Sequence, residues 1–202
     1  MSLRTPPAPH IASGNSVARI MRRVLYCLAP GTATMAVLFG WGVVVNIAVA
    51  VAAAVATELA MLWLRGRPLR RFLRDWSAVV AGALLAVTLP LLPAWITATG
   101  VAFGLVFGKH LYGGLGANPF NPAMVGYCVL IVAFPQAMVQ WLPPLPTTDA
   151  MPGLAATLQA TFTGSLPGQT GLDGITTATP LDHIKTQLAD GRGGSEMVAG
   201  TP

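Results

Sequence analysis

The stretch VLYCLAPGTATMAVLFGWGVVVNIAVAVAAAVATELAMLWL, from Val24 to Leu64, decides how this chain must fold. It runs for 41 residues, and Glu58 is its one charged residue. Because a helix crosses the hydrocarbon core of a membrane in about 20 residues, this length fits two crossings. The glycines of the sequence FGWG at 39–42 predict the turn between them, since glycine adopts backbone angles that other residues avoid.

The composition of the chain points to lipid as the solvent of much of its surface. Hydrophobic residues make up 53% of its 202 residues and charged residues only 9%, whereas an ordinary soluble domain carries about 25% charged residues. Nine of the twelve basic residues lie in the first 75 positions, on both sides of the first apolar run. This placement indicates the cytoplasmic face of a membrane. It is not a basic stripe interleaved with aromatic residues, so nucleic acid is not an expected partner.

Two further apolar runs complete a predicted membrane domain at residues 19–142. The run from 76 to 108 contains Pro90 and Pro93, which divide it into two short helices because proline lacks an amide donor. Broken helices around a site at membrane depth also fit this pattern, and that alternative stays open. A fifth helix is expected to kink at Pro135. The predicted helices lie at about 20–39, 42–64, 76–91, 94–110 and 123–142.

These runs predict an all-α integral membrane protein with about five transmembrane helices. Five crossings from a cytoplasmic N-terminal segment, residues 1–18, put residues 143–202 in the periplasm. The charges agree, because the last segment carries two basic and five acidic residues, and basic residues are retained in the cytoplasm.

Glu58 is a candidate for a role in ion or proton movement, since a carboxylate inside a membrane span is costly and usually functional. The bland alternative is that it reaches the cytoplasmic interface, because Arg65 and Arg67 follow about two helical turns later.

The other polar and sulfur-containing residues of the membrane domain have structural interpretations. Asp75 is expected to form an interfacial ion pair with Arg71 or Arg74. Cys27 and Cys128 lie in apolar runs and are expected to be small buried packing residues. No CxxC pair or four-ligand set occurs, so neither an iron–sulfur cluster nor a structural zinc site is expected.

The sequence LYGGLGANPFNPAMVGY, residues 111–127, predicts a tight cytoplasmic loop that leads into the fifth helix. Its glycines permit unusual backbone angles, and its two Asn-Pro pairs favour turns. A phosphate-binding loop is excluded, because neither a preceding strand nor a Lys-Ser/Thr pair is present. The two Asn-Pro motifs are too close to face each other across a water channel. Contact with a cofactor through exposed backbone donors remains a second hypothesis.

The sequence DGITTATPL, residues 173–181, is the most informative motif outside the membrane domain. Thr179 stands before Pro180, where a helix would begin, so one interpretation makes it an N-cap. The other makes it an attachment site for a phosphate-linked group, because a helix N-terminus favours an anion. The two interpretations are compatible.

Four stretches in order along the chain resemble the D subunit of the Rnf/Rsx ion-translocating electron-transport complex. They are FGWG (39–42), KHLYGGLGANPFNPAMVGY (109–127), FPQAMVQWLPP (134–144) and DGITTATPLD (173–182). The chain is more distantly similar to the B subunit of the sodium-pumping NADH:quinone reductase. The resemblance extends from about residue 19 to residue 188.

The resemblance implies FMN linked through its phosphate to Thr179, the last residue of a D-x-x-[S/T]-x-A-[S/T] motif. Asp173, Thr176 and Ala178 occupy the other defined positions, and Thr177 replaces a glycine frequent in the family. The resemblance also implies a non-covalent riboflavin, a bacterial inner-membrane location with several crossings, the other complex subunits as partners, and a periplasmic flavin transferase. The electron donors and acceptors would be ferredoxin and NAD, or a redox regulator.

Two alternative functions come from other classes. One is a non-redox membrane protein, either a transporter half or an assembly scaffold. The other is a truncated, non-functional remnant, because the family continues into further membrane helices and this chain stops at Pro202. No residue of this chain is expected to be catalytic or to bind a metal by itself. Neither sodium nor the proton is favoured as the coupled ion.

Overall fold

A computed structural model describes residues 16–68, 74–142 and 152–164, and these residues form helices and loops without strands. The predicted all-α architecture is therefore confirmed for the described part of the chain. The helices are α1 (Val17–Phe39), α2 (Trp41–Leu64), α3 (Ser77–Ala86), α4 (Ala94–Leu105), α5 (Pro122–Ala133), α6 (Pro135–Met138) and α7 (Leu154–Thr163). A π-helical turn, Val106–His110, continues α4.

The predicted turn between the first two helices is confirmed. Gly40 separates α1 from α2 with a φ of 73° and a ψ of −158°, a conformation that side chains with a Cβ rarely adopt. Among the described helices, α2 alone has the length and composition needed to cross a membrane, with a mean hydropathy of 2.1. The helices α3 and α5 are apolar but shorter.

Three helices are shorter than predicted. The helix expected at 76–91 ends at Ala86, because Pro90 cannot donate a hydrogen bond to a preceding turn. The helix expected at 94–110 is α-helical only to Leu105 and then widens into the π-helical turn. The helix expected at 123–142 ends at Ala133 and resumes as α6, since Pro135 disfavours helical angles at Phe134 (φ −134°).

The helices α2, α3, α4 and α5 form an antiparallel bundle around one apolar core. The helix α2 packs against both α3 and α4, while α5 packs against α4. The bundle has two ends, which we define by buried polar residues of α2. The Glu58 end includes the start of α3 and the π-helical turn. The Asn46 end includes the break between α3 and α4.

Small residues bring the helices of this bundle close together. Gly100, Gly104 and Gly108 follow one another at every fourth position of α4 and its π-helical turn, and Gly126 faces them from α5. A Cβ on Gly104 would lie 2.2 Å from the carbonyl oxygen of Pro122. This spacing of small residues is typical of helices that pack closely in membranes.

The cysteine prediction is wrong, because Cys27 on α1 and Cys128 on α5 are both exposed. Around these two cysteines the outer faces of both helices are also apolar, so hydrophobicity alone does not mark the buried side. The helix α7, in the segment predicted to be periplasmic, packs against α2 and α4. Its Thr157, Ala160 and Thr161 are buried.

Candidate functional site: a buried ionic cluster

The carboxylate of Glu58 lies inside the bundle and is held at both oxygens. Glu58 is only 1% exposed. Lys109 Nζ donates to Oε1 at 2.7 Å, and His110 Nε2 lies 2.9 Å from Oε2. We call Glu58, Lys109, His110 and Ser77 the buried cluster. It joins α2, the start of α3 and the π-helical turn, three segments that are distant in sequence.

The π-helical turn lets two consecutive side chains reach one carboxylate. Leu111 N donates to Val106 O at 2.9 Å, which closes a wider turn than that of an α-helix. Lys109 and His110 are both 3% exposed and both contact Glu58. Turns of this kind occur often at functional sites. The position of Lys109 at the end of an apolar run suggests a boundary residue that faces the cytoplasm. The structure instead buries its side chain inside the bundle.

A chain of hydrogen bonds connects the buried cluster to the surface. Lys109 Nζ also donates to Ser77 Oγ at 2.7 Å, and Ser77 Oγ donates to Asp75 Oδ1 at 2.7 Å. Ser77 N donates to the same oxygen at 2.8 Å. Asp75 is half-buried. Among the described residues, Asp75 accepts from Ser77 and forms no ion pair with Arg74. Arg71, the other predicted partner, lies outside them, so that pairing stays a prediction.

The side chain of Arg65 contacts the backbone of His110 and not the carboxylate of Glu58. Its Nη1 donates to the carbonyl oxygen of His110 at 2.8 Å, which satisfies a carbonyl at the end of the π-helical turn. Glu58 therefore does not reach out to the arginines of the interface. Its partners are the lysine and histidine that lie 51 and 52 residues later in the sequence.

The charges of the buried cluster balance when His110 is neutral, since one carboxylate faces one ammonium. Among the described residues, no buried side-chain nitrogen or oxygen lacks a hydrogen-bond partner. Removing one partner would leave an uncompensated charge in an apolar interior, which is strongly unfavourable. Carboxyl, amine, imidazole and hydroxyl groups in a continuous chain can exchange protons, and this is the chemistry that the arrangement supports.

A second buried polar group stabilises the break between α3 and α4. Asn46 Nδ2 donates to the carbonyl oxygens of Ala86 at 3.3 Å and Pro90 at 3.4 Å. Thr97 Oγ1 donates to Asn46 Oδ1 at 2.9 Å. The carbonyls released where α3 ends thus find partners in α2, as the broken-helix interpretation requires.

The loop from 111 to 121 has the local geometry that its sequence predicts. Gly113, Gly114 and Gly116 all have positive φ. Asn121 is the N-cap of α5, and its side chain accepts a hydrogen bond from Ala123 N at 3.0 Å. Contact between this loop and a cofactor stays a prediction.

The predicted FMN-attachment residues lie outside the described residues: Asp173, Thr176, Ala178 and Thr179. Sequence reasoning identified Glu58 but missed Lys109 and His110 as its partners, and Ser77 as the second acceptor of Lys109. The available signal was a Lys-His pair directly after a long uncharged run. Asn46, a lone amide in the middle of another apolar run, was missed as well.

The sequence pattern of the NQR2, RnfD, RnfE family matches residues 4–201, almost the whole chain. The chain belongs to this family. Its relatives include proteins named as the D subunit of an ion-translocating oxidoreductase complex. Those of Escherichia fergusonii and Vibrio cholerae are 44% and 45% identical to this chain, and each match covers 95% of this chain and 57% of the relative. The relative from Erwinia tasmaniensis is 42% identical over 98% of this chain and 59% of its own length. The chain thus spans less than two thirds of these family members.

Proposed function

We propose that this chain is the flavin-carrying membrane subunit of an Rnf/Rsx-type ion-translocating electron-transport complex. The observation that carries the proposal is the family match, which continues through the attachment motif at 173–179. The names of the relatives supply the activity. On this proposal the chain works with the other subunits of the complex and couples electron transfer, between ferredoxin and NAD or to a redox regulator, to cation translocation.

A location in the bacterial inner membrane is supported by the distribution of polar and apolar residues. Charged Glu58 and Lys109 are buried, whereas large apolar side chains such as Val132 (83% exposed) and Trp63 (73% exposed) cover the outside. This arrangement suits a surface in contact with lipid. Helix ends alternate between the Glu58 end and the Asn46 end, which supports five crossings. Arg65 and Arg67 follow α2 at the Glu58 end and support its placement in the cytoplasm.

Thr179 is the proposed acceptor of FMN, and a periplasmic flavin transferase is the proposed partner for its attachment. The crossings described above would bring the segment after residue 143 to the periplasmic side. FMN bound there would supply one- or two-electron transfer. A non-covalent riboflavin is proposed in the membrane region without assigned contacts.

The test of the acceptor is in-gel flavin fluorescence after denaturation of the chain co-expressed with a flavin transferase. We expect a fluorescent band for the wild-type chain and for Thr177→Val, the matched control with a neighbouring hydroxyl removed. Thr179→Val should lose the band. The intact mass should rise in parallel by the mass of FMN less one water. A fluorescent Thr179→Val band would show that the acceptor is another residue, and a dark wild-type band would refute the covalent attachment of FMN.

A further inference from the structure

We propose that Asp75, Ser77 and Lys109 form a proton inlet that connects the surface at the Glu58 end to the buried carboxylate of Glu58. The inference rests on the proposed function, which gives a buried carboxylate a role in cation translocation. It goes further by naming the route and the entrance. The route consists of side chains from the start of α3 and from the π-helical turn, joined by contacts of 2.7 Å.

The geometry gives every step of the route a donor and an acceptor. Asp75 is half-buried, and Ser77 donates to only one of its oxygens. Within the described part of the chain no hydrogen bond reaches the other oxygen, which can take up a proton from water. Ser77 accepts from Lys109 and donates to Asp75, and a hydroxyl can reverse these roles by rotating its hydrogen. Lys109 contacts Ser77 and Glu58 at equal distances.

The transfer balances in protons and charge. A proton from water binds Asp75, and Lys109 passes one of its protons to Oε1 of Glu58. The Asp75 carboxyl then turns about its Cβ–Cγ bond so that its new O–H faces Ser77. Ser77 gives its hydroxyl proton to Nζ of Lys109 while it accepts the proton from Asp75. One proton has moved from solution to Glu58, and Lys109 is again an ammonium while Asp75 is again a carboxylate. His110 can hold the protonated carboxyl, because its ring nitrogen lies 2.9 Å from the second oxygen.

The surroundings make this route an inlet and not a complete crossing. Arg65, at the end of α2, donates to the backbone carbonyl of His110 and, among the described residues, to no side chain of the buried cluster. Among the described residues, no titratable side chain of α5 forms a hydrogen bond with the buried cluster. Along α2 toward Asn46, the next core-facing residues are Ala54 and Ala50, both fully buried. The polar chain of the described residues therefore ends at Glu58 and His110.

The experiment uses the full-length chain in lipid nanodiscs, with its flavin content measured on the same samples. A rapid drop from about pH 8 to about pH 3, which passes through the ordinary titration ranges of both imidazole and carboxyl groups, is followed by infrared absorption of protonated carboxyl groups. Glu58→Gln identifies the Glu58 signal by its loss. We expect Ser77→Ala and Asp75→Asn each to slow that signal about a hundredfold, within the range that a positioned proton-transfer group contributes.

Thr99→Val is the matched control, because its hydroxyl bonds only to a carbonyl of its own helix at an exposed position. It should leave the rate unchanged.

If circular dichroism shows that Ser77→Ala does not fold, the test relies on Asp75→Asn at the half-buried entrance. Unchanged rates in the folded variants, or the absence of a Glu58 signal, would overturn the inlet. Slowing by Ser77→Ala without slowing by Asp75→Asn would overturn the entrance. Flavin attachment is measured independently, so its failure does not resemble any of these results.

Discussion

Replacing Gly104 by alanine should push α4 and α5 apart. A Cβ at this position would lie 2.2 Å from the carbonyl oxygen of Pro122 and 3.1 Å from the amide nitrogen of Gly126. Both obstacles are backbone atoms, so no side chain can rotate away. Ordinary contact distances begin at 3.4 Å, and restoring one requires the two helices to separate by about 1 Å.

This separation has an energetic cost that the structure lets us estimate. A gap of about 0.5–1 Å forfeits between a quarter and a half of each atomic attraction across an interface, and overpacking a core costs about 1–3 kcal/mol. The better helix propensity of alanine offsets about 1 kcal/mol of this. Because the obstacle is rigid, we expect the upper part of the range, a net loss of about 2 kcal/mol. That loss lowers Tm by roughly 4–8 °C for a chain of this size.

The assay is thermal unfolding in detergent followed by circular dichroism, with Gly31→Ala as the matched control. Gly31 is also a helical glycine, but a Cβ there would meet nothing within 4 Å, so its Tm should stay equal or rise. Gly126→Ala should resemble Gly104→Ala, since its Cβ would lie 2.5 Å from the carbonyl oxygen of Gly100. If Gly104→Ala melts at or above the wild-type temperature while Gly31→Ala behaves as expected, the close packing of α4 and α5 is refuted.

Two further predictions concern the buried polar groups. Lys109→Met should destabilise the chain by about 3–5 kcal/mol because it leaves the carboxylate of Glu58 uncompensated. Adding Glu58→Gln should restore much of this loss, as measured by thermal unfolding. Additive losses in the double variant would contradict a coupled pair. Asn46→Leu should cost about 1–3 kcal/mol because the carbonyl of Pro90 loses its donor and that of Ala86 keeps only the amide of Leu89. Faster amide hydrogen exchange should appear first at the α3–α4 break, and uniform acceleration over the bundle would argue against this role.

The breaks between helices were predictable because they depend on a few neighbouring residues. Gly40 ends α1 through its own backbone angles, and Pro135 ends α5 by restricting Phe134. Asn121 starts α5 by accepting from a backbone amide two residues later. The lengths were harder to predict, because the carbonyl of Pro90 in the break after α3 is satisfied by Asn46, which lies on another helix.

The candidate site was predictable only in part. Glu58 stands out as the one charge in a long apolar run, so its importance follows from the cost of burying it. Its partners do not stand out, because Lys109 at the end of an apolar run has the usual position of an interfacial lysine. The attachment motif ending at Thr179 is specific as a sequence, and its function stays a prediction.

The sequence by itself determined that this chain is helical and apolar, where its helices turn, and to which family it belongs. Hydrophobic run length, glycine and proline act over short distances, and the local sequence therefore encodes them. Tertiary structure decided which faces are buried and which polar groups meet. Exposed Cys128 and buried Lys109 show the reason: in helices that are apolar on every side, only packing against a neighbour distinguishes the inside from the outside.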